Sequence, residues 1–428
     1  MQEKINPVKA LRGDIEVSAD KSISHRSAIF AALAQGESRI KNYLLAEDTL
    51  STCHCIEQLG VKIVQDKNNF IINSPGIEGL IEPAAVLDCG NSGTTMRLMS
   101  GLLAGRPFYS VLSGDESLSN RPMRRIVEPL SSMGAHIWGR ENNSKPPLAI
   151  QGSKLQGGMF NMSVASAQVK SALLLAGLQA DNSTVIIEPH RSRDHSERML
   201  QAMGADLSIE DNKITLSPGK PLSVCDWTIP GDISSAAFFL VAATIVPNSE
   251  LRIRQVGINP TRTGIIQVLM KMGANIKIEN STIIAGEPVA DLIIKSAPLK
   301  AITVNKEMIP EMIDEIPVLA VAMAVAKGES IVQGANELRV KETDRIKAIS
   351  TELRKMGVDI TELEDGFVVK GNPEGLKSAQ VFSYGDHRIA MSLAIAALVA
   401  DKTTEILSSE AVNISFPEFW CIMERIIA

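Results

Sequence analysis

The chain has 428 residues, more than one ordinary domain holds, which points to two or three domains. It is 45% hydrophobic, enough for sizeable buried cores, and its net charge of −6 excludes a general nucleic-acid binder, which would be basic. No apolar run approaches the ~20 residues that span a bilayer, and Lys4, Lys9 and Arg12 interrupt the N-terminus where a secretory leader would be apolar. No membrane and a cytoplasmic location are therefore expected.

The first predicted helix opens in SADKSISHRSAIFAAL (18–33), where Lys21, His25 and Arg26 precede an apolar body. Cations there face the positive end of the helix dipole, at a cost of roughly 0.3–1 kcal/mol each. A second helix follows, containing Cys53-His54-Cys55, the one cluster that resembles metal ligands. Neighbours one residue apart rarely chelate alone, and the five cysteines lack CxxC spacing, so reduced thiols and no metal are expected. That helix ends in IEQLGVKI, where Gly60 can take the left-handed cap conformation before a strand begins. The same joint recurs around Gly134, Gly204, Gly273 and Gly357.

A second phrase interleaves with this joint: a short polar turn opening an unusually apolar helix. Its copies start at 18, 89 (CGNSGTTMRLMSGLLA), 163 (SVASAQVKSALLLAGL), 231 (GDISSAAFFLVAA), 313 (IDEIPVLAVAMAVA) and 384 (YGDHRIAMSLAIAALVA), giving six units of about 71 residues. Helices such as KSALLLAGL and RIAMSLAIAALVA have no wet face and belong inside a core. Strands such as SVLSG, LAIQG, STVIIEP and GFVVKG are short and partly polar, which predicts that they cover the helices from outside. The expected architecture is α/β: two inside-out domains of three repeats each. The sixth unit ends in FPEFWCIMERIIA with no joint after it, while LRGDIEV near the start reads as a strand. The N-terminal segment is expected to complete the last unit. Residues 1–19 and 231–428 would then form one discontinuous domain with the last three repeats, and 20–230 the other, with Pro230-Gly231 as a crossing turn.

Five of the six units place cations at these starts: Lys21 and Arg26, Arg97, Lys170, Lys341 and Arg345, and Arg388. Only the helix opening at 231 has none, while Arg121, Arg124, Arg125 and Arg193 add to the set. Helix N-termini are ready anion sites, and a bound phosphate or carboxylate would convert repulsion into charge-assisted hydrogen bonds of ~1.5–3 kcal/mol each. About eight such groups could neutralise two phosphates and one or two carboxylates without metal. No GxxxxGK[ST], GxGxxG, HExxH or GxSxG motif is present. Among the cations stand Asp314 with Glu315, and Glu342 beside Lys341; these acids are the candidates for proton transfer.

Nine ordered blocks carry a resemblance over essentially the whole chain: ADKSISHR (19–26), GNSGTTMRL (90–98), NRPM (120–123), SAQVKSALLLAG (166–177), RDHSERML (193–200), IDEIPVLAVA (313–322), RVKETDRI (339–346), GDHRIAM (385–391) and SFPEF (415–419). In these the chain resembles the 5-enolpyruvylshikimate-3-phosphate (EPSP) synthases, and SAQVKSA resembles their bacterial branch often called class II. The resemblance implies transfer of the enolpyruvyl group of phosphoenolpyruvate to the 5-hydroxyl of shikimate 3-phosphate, a step of chorismate and aromatic amino acid biosynthesis. It implies a monomer that closes two domains over an interdomain cleft and uses no cofactor. Shikimate 3-phosphate would be held by Lys21, Ser22, Arg26, Ser166, Ala167, Gln168, Arg193, Asp314 and Lys341. Phosphoenolpyruvate would be held by Lys21, Gly93, Arg121, Gln168, Arg345 and Arg388. Asp314, Glu342, Lys341 and Lys21 would carry the chemistry. Gly93 would also admit glyphosate. The departures from the family pattern are Leu98, where enteric members have Pro, and Ile414-Ser415, where some have Lys.

Three rivals stand beside this reading. UDP-N-acetylglucosamine enolpyruvyl transferase needs a loop cysteine that SGDESLSNRP (113–122) lacks. RNA 3′-phosphate cyclase needs a nucleotide-accepting histidine, for which His387 is only a superficial candidate. A non-catalytic anion-binding repeat protein would not need the acid pair.

Overall fold

The computed structural model describes residues 1–428, which divide into two units. One, here the terminal unit, holds residues 1–18, 230–282 and 288–428; the other, the internal unit, holds 19–229 and 283–287. No helix is long and apolar enough to cross a membrane.

The internal unit is built on the helices Lys21–Ala31, Gly93–Leu103 and Ala167–Gly177, each covered by a four-stranded sheet. In the terminal unit Ile233–Ile245, Ile316–Ala324 and His387–Ala397 take the same places. Two of its sheets have four strands and the third has three. Every residue of Ile316–Ala324 is buried, and so is nearly all of Ile233–Ile245, as expected of helices with no wet face. Close approach inside these cores depends on small residues. A Cβ on Gly101 would fall 2.2 Å from the carbonyl oxygen of Ala172 on the neighbouring buried helix, a contact no side chain could occupy.

All five glycine joints adopt positive φ: Gly60 at 91°, Gly134 at 97°, Gly204 at 85°, Gly273 at 107° and Gly357 at 80°. The sheets share one pattern. In the second repeat, the short strand Leu87–Asp88 before the buried helix runs parallel to Tyr109–Ser113 after it, which pairs antiparallel with Lys145–Gln151 and through it with His136–Gly139.

At each crossing between units, the strand preceding the buried helix closes the unit the chain is leaving. Arg12–Ile15 runs parallel to Glu250–Gly257, and Trp227–Thr228 runs parallel to Gln35–Lys41. This corrects the assignment of LRGDIEV, which joins the fourth repeat. The sixth repeat is completed instead by Gln2–Ile5, antiparallel to Thr404–Leu407. Sequence patterning gives strand identity but not register partner, which is set by which apolar face the neighbouring sheet leaves open.

Candidate active site

In the internal unit the candidate groups stand at three helix starts. Asp20 caps Lys21–Ala31 by accepting from the Ile23 amide at 2.8 Å, and Lys21 Nζ lies 2.5 Å from Asp48 Oδ2, so local carboxylates answer the misplaced cations. Arg26 is buried and donates to hydroxyl and carbonyl oxygens of its own unit. Its Nε donates to Ser196 Oγ at 2.8 Å, Nη2 to Ser171 Oγ at 2.9 Å and Nη1 to the Ser22 carbonyl at 3.0 Å.

At the second helix start, Ser92 caps Gly93–Leu103 and Arg121 Nη2 donates to Asn91 Oδ1 at 2.6 Å. Gln168 ties this turn to the third: its Oε1 accepts from Arg97 Nη1 at 2.5 Å and its Nε2 donates to Thr94 Oγ1 at 2.9 Å. Ser166 caps Ala167–Gly177, with Ala167 and Gln168 in the first turn. Arg193 stands half-buried just before the helix His195–Ala202. Lys21, Ser22, Arg26, Gly93, Arg121, Ser166, Ala167, Gln168 and Arg193 thus all belong to this unit.

The terminal unit gathers the acids with the remaining cations. Arg345, at the first position of Arg345–Lys355, is 1% exposed and reaches three carboxylates: Asp386 at 2.7 Å, Glu342 at 2.7 Å and Asp314 at 3.3 Å. Burial disfavours its charged form, but Asp386, Glu342 and Asp314 outweigh that and raise its pKa, so it stays a guanidinium. Lys341 Nζ lies 3.4 Å from the same Asp314 Oδ1, and Arg388 Nη1 donates to the Asp314 carbonyl at 3.1 Å. Asp314 is thereby held between Lys341 and Arg345, while Glu342 and Asp386 meet the other nitrogens of Arg345. Such a cluster can bind an anion and accept or return a proton within the same few ångströms.

Residues 5–423 match the EPSP synthase (3-phosphoshikimate 1-carboxyvinyltransferase) family. A 3-phosphoshikimate 1-carboxyvinyltransferase of Syntrophomonas wolfei is 60% identical over 424 residues, covering 99% of each chain. The chain belongs to the EPSP synthase family. The homologue from Geobacter metallireducens is 51% identical, again over 99% of each chain. An EPSP synthase structure from Acinetobacter baumannii superposes with a TM-score of 0.90 at 44% identity, covering 99% of this chain and 98% of that one. An enolpyruvyl transferase from Streptomyces tendae shares the fold at 17% identity and a TM-score of 0.80, covering 99% of this chain and 96% of that one.

Set on the EPSP synthase scaffold, several sequence-level expectations need correction. Lys170 does not stand ready for a ligand. It is fully buried, 2.6 Å from Glu197 and 2.8 Å from Glu188, an ion triad inside the core. Arg97 serves Gln168 and the Pro122 carbonyl, and Arg124 lies on the surface 3.8 Å from Glu128. The helix opening at 231 carries no cation of its own, yet Arg262 reaches its start from the following segment. It is buried, donating to Asp232 Oδ1 at 3.1 Å and Ser234 Oγ at 2.8 Å, while Ser234 Oγ donates in turn to Glu315. Cys53 and Cys55 are buried while His54 is exposed on the other side of their helix, so the three do not converge. Leu98 is fully buried core.

Sequence reasoning also missed Asp48, Asn91, Asp386 and the Ser171–Ser196 pair. Asp386 carried a signal, since Asp before an apolar helix is a cap. Asp48 and Ser196 carried none, because their partners Lys21 and Arg26 stand on another helix and meet them only through packing.

Proposed function

We propose that the chain transfers the enolpyruvyl group of phosphoenolpyruvate to the 5-hydroxyl of shikimate 3-phosphate, releasing inorganic phosphate. The observation that carries the assignment of roles is the Asp314–Lys341–Glu342–Arg345 cluster, lying within the EPSP synthase motifs at both ends. In this reading Lys341 and Glu342 protonate C3 of phosphoenolpyruvate, which makes C2 electrophilic. Asp314 takes the 5-hydroxyl proton as that oxygen bonds to C2, giving a tetrahedral ketal phosphate. Loss of a proton from the new methyl group re-forms the double bond as the C2–O bond to phosphate breaks. Arg121, Arg345, Arg388 and Lys21 stabilise the charge on the departing phosphate, and Gly93 and Gln168 also serve to bind phosphoenolpyruvate. Arg26, Arg193, Ser22, Ser166, Ala167 and Gln168 hold shikimate 3-phosphate together with Lys21, Asp314 and Lys341. A cytoplasmic monomer with two small phosphorylated substrates is the accompanying proposal.

The test is phosphate release on mixing shikimate 3-phosphate with phosphoenolpyruvate, expected with both and with neither alone. Glu342→Gln is expected to lower kcat by roughly 10²–10⁴ while shikimate 3-phosphate binding stays within a few-fold, and Asp314→Ala to lower kcat by a similar factor while also weakening shikimate 3-phosphate binding. Unchanged turnover in both variants would remove the acid pair from the chemistry. An anion-binding protein without catalysis would release no phosphate.

A further inference from the structure

Arg193 leads directly into the first turn of His195–Ala202, and successive residues of that turn are tied to different parts of the internal unit. Asp194 Oδ1 accepts from Arg198 Nε at 2.9 Å and its Oδ2 from Arg191 Nη2 at 3.2 Å. Ser196 Oγ accepts from Arg26 and lies 2.6 Å from Ser171 Oγ. Glu197 meets Lys170 on the third buried helix. These ties come from within residues 19–229.

Two further ties come from far along the chain. His195 Nδ1 lies 2.7 Å from Glu287 Oε1, 92 positions away, with both side chains almost wholly buried. Arg198 Nη1 donates to the Gly286 carbonyl at 3.1 Å. Both acceptors belong to the tip of the hairpin formed by Asn275–Ile284 and Glu287–Lys295, and only this tip, 283–287, groups with the internal unit while the rest of the hairpin does not. The turn is a tight two-residue one with Ala285 at φ 48° and Gly286 at φ 84°. Ala at positive φ is unfavourable, since such turns prefer Asn, Asp or Gly. Tightness sets Glu287 immediately after the turn, where its carboxylate meets the imidazole.

A buried carboxylate–imidazole pair is weak grounds for stability, because desolvation offsets much of the attraction. Its position says more: it fixes the one ring that separates Arg193 from the Ser196 hydroxyl cradling Arg26. We propose that Glu287 is a positioning residue of the shikimate 3-phosphate site, accepting from His195 Nδ1–H and so holding the start of this helix, with Arg193 on one side and the Ser196–Arg26 contact on the other. The inference rests on the assignment of Arg26 and Arg193 to that substrate.

It is tested with the full chain carrying Glu287→Ala, Glu287→Met, which fills the space without an acceptor should the alanine variant not fold, and Glu287→Gln, whose amide oxygen accepts from the same N–H. Shikimate 3-phosphate affinity is measured by calorimetry alongside steady-state kinetics in both substrates. Loss of the acceptor is expected to raise the Kd and KM for shikimate 3-phosphate on the order of tenfold. The KM for phosphoenolpyruvate and kcat should move less than about threefold, and Glu287→Gln should recover most of the loss. An unchanged shikimate 3-phosphate affinity in Glu287→Met would overturn the proposal, and so would an equal decline of all kinetic parameters tracking a lower melting temperature. Because calorimetry reads binding alone, a wild-type chain that binds this substrate yet releases no phosphate would count against the transfer reaction and not against Glu287.

Discussion

A methyl group added at Gly93 would stand 2.9 Å from Arg97 Nη1 and 3.4 Å from Arg121 Nη1. Arg97 is buried and already spends Nη1 on Gln168 Oε1, so it can yield only by dragging Gln168 with it. Gly93→Ala is therefore expected to raise the KM for phosphoenolpyruvate on the order of tenfold, as one charge-assisted contact is lost, with a smaller change for shikimate 3-phosphate. Inhibition of the wild-type chain by glyphosate is expected to be competitive with phosphoenolpyruvate and weaker in this variant; steady-state inhibition kinetics check both. Arg121, Arg345 and Arg388 were legible as members of a set of cations gathered at or near helix starts, where the backbone offers N–H donors, whereas Gly93 entered only through the resemblance carried by GNSGTTMRL.

Between elements, a chain of buried hydroxyls links three helices of the internal unit. Thr95 Oγ1 donates to the cap Ser92 at 2.7 Å and therefore accepts from Thr52 at 2.6 Å; Thr52 in turn accepts from His25 Nδ1–H at 2.7 Å. Burial, then the nearby charges of Lys21 and Arg26, push the His25 pKa well below the usual 6.5. An unfolded His25 takes up a proton near that value and the folded one does not. The unfolded state thus binds more protons as pH falls below about 6.5, and stability is lost in that direction by up to ~1.4 kcal/mol per pH unit. His25→Gln should flatten the dependence of unfolding free energy on pH between about 6.5 and 5, read from urea titrations. The polar turns that open the buried helices were legible from sequence, and in five of them a residue of the turn, Asp20, Ser92, Ser166, Asp232 or Asp386, accepts from an amide of the helix it precedes. The hydroxyl chain was not, since Thr52 and Thr95 are ordinary helix residues until packing brings them together.

Across the whole molecule, a net charge of −6 surrounds the cations at the helix starts of the internal unit, whereas around Arg345 the cations stand among carboxylates that balance them. Positive sites on an acidic protein attract anionic substrates over a range set by screening. Raising salt from about 0.1 M to about 1 M shortens that range from about 10 Å to about 3 Å. The KM for both phosphorylated substrates should rise with salt while kcat changes little, since buried pairs such as Arg345–Asp386 are screened much less. A kcat that fell as steeply as affinity would place the charge effect in the chemical step.

The sequence by itself determined the six apolar helices, the polar turns that open them, the five glycine joints and the family to which the chain belongs. All of these rest on interactions within a turn or two of the backbone, or on apolar stripes that any burial satisfies. Only the tertiary structure decided which cations were spent on the core. Lys170 stands near a helix start as Arg26 does and Arg262 stands at none of the six, yet the carboxylate partners Glu188, Glu197 and Asp232 of both are met through packing of separate elements. It also decided that LRGDIEV pairs with the fourth repeat and that Glu287 meets His195. Strand partners and buried charge pairs are long-range choices, set by which surfaces remain open once the helices have packed, and no local pattern records them.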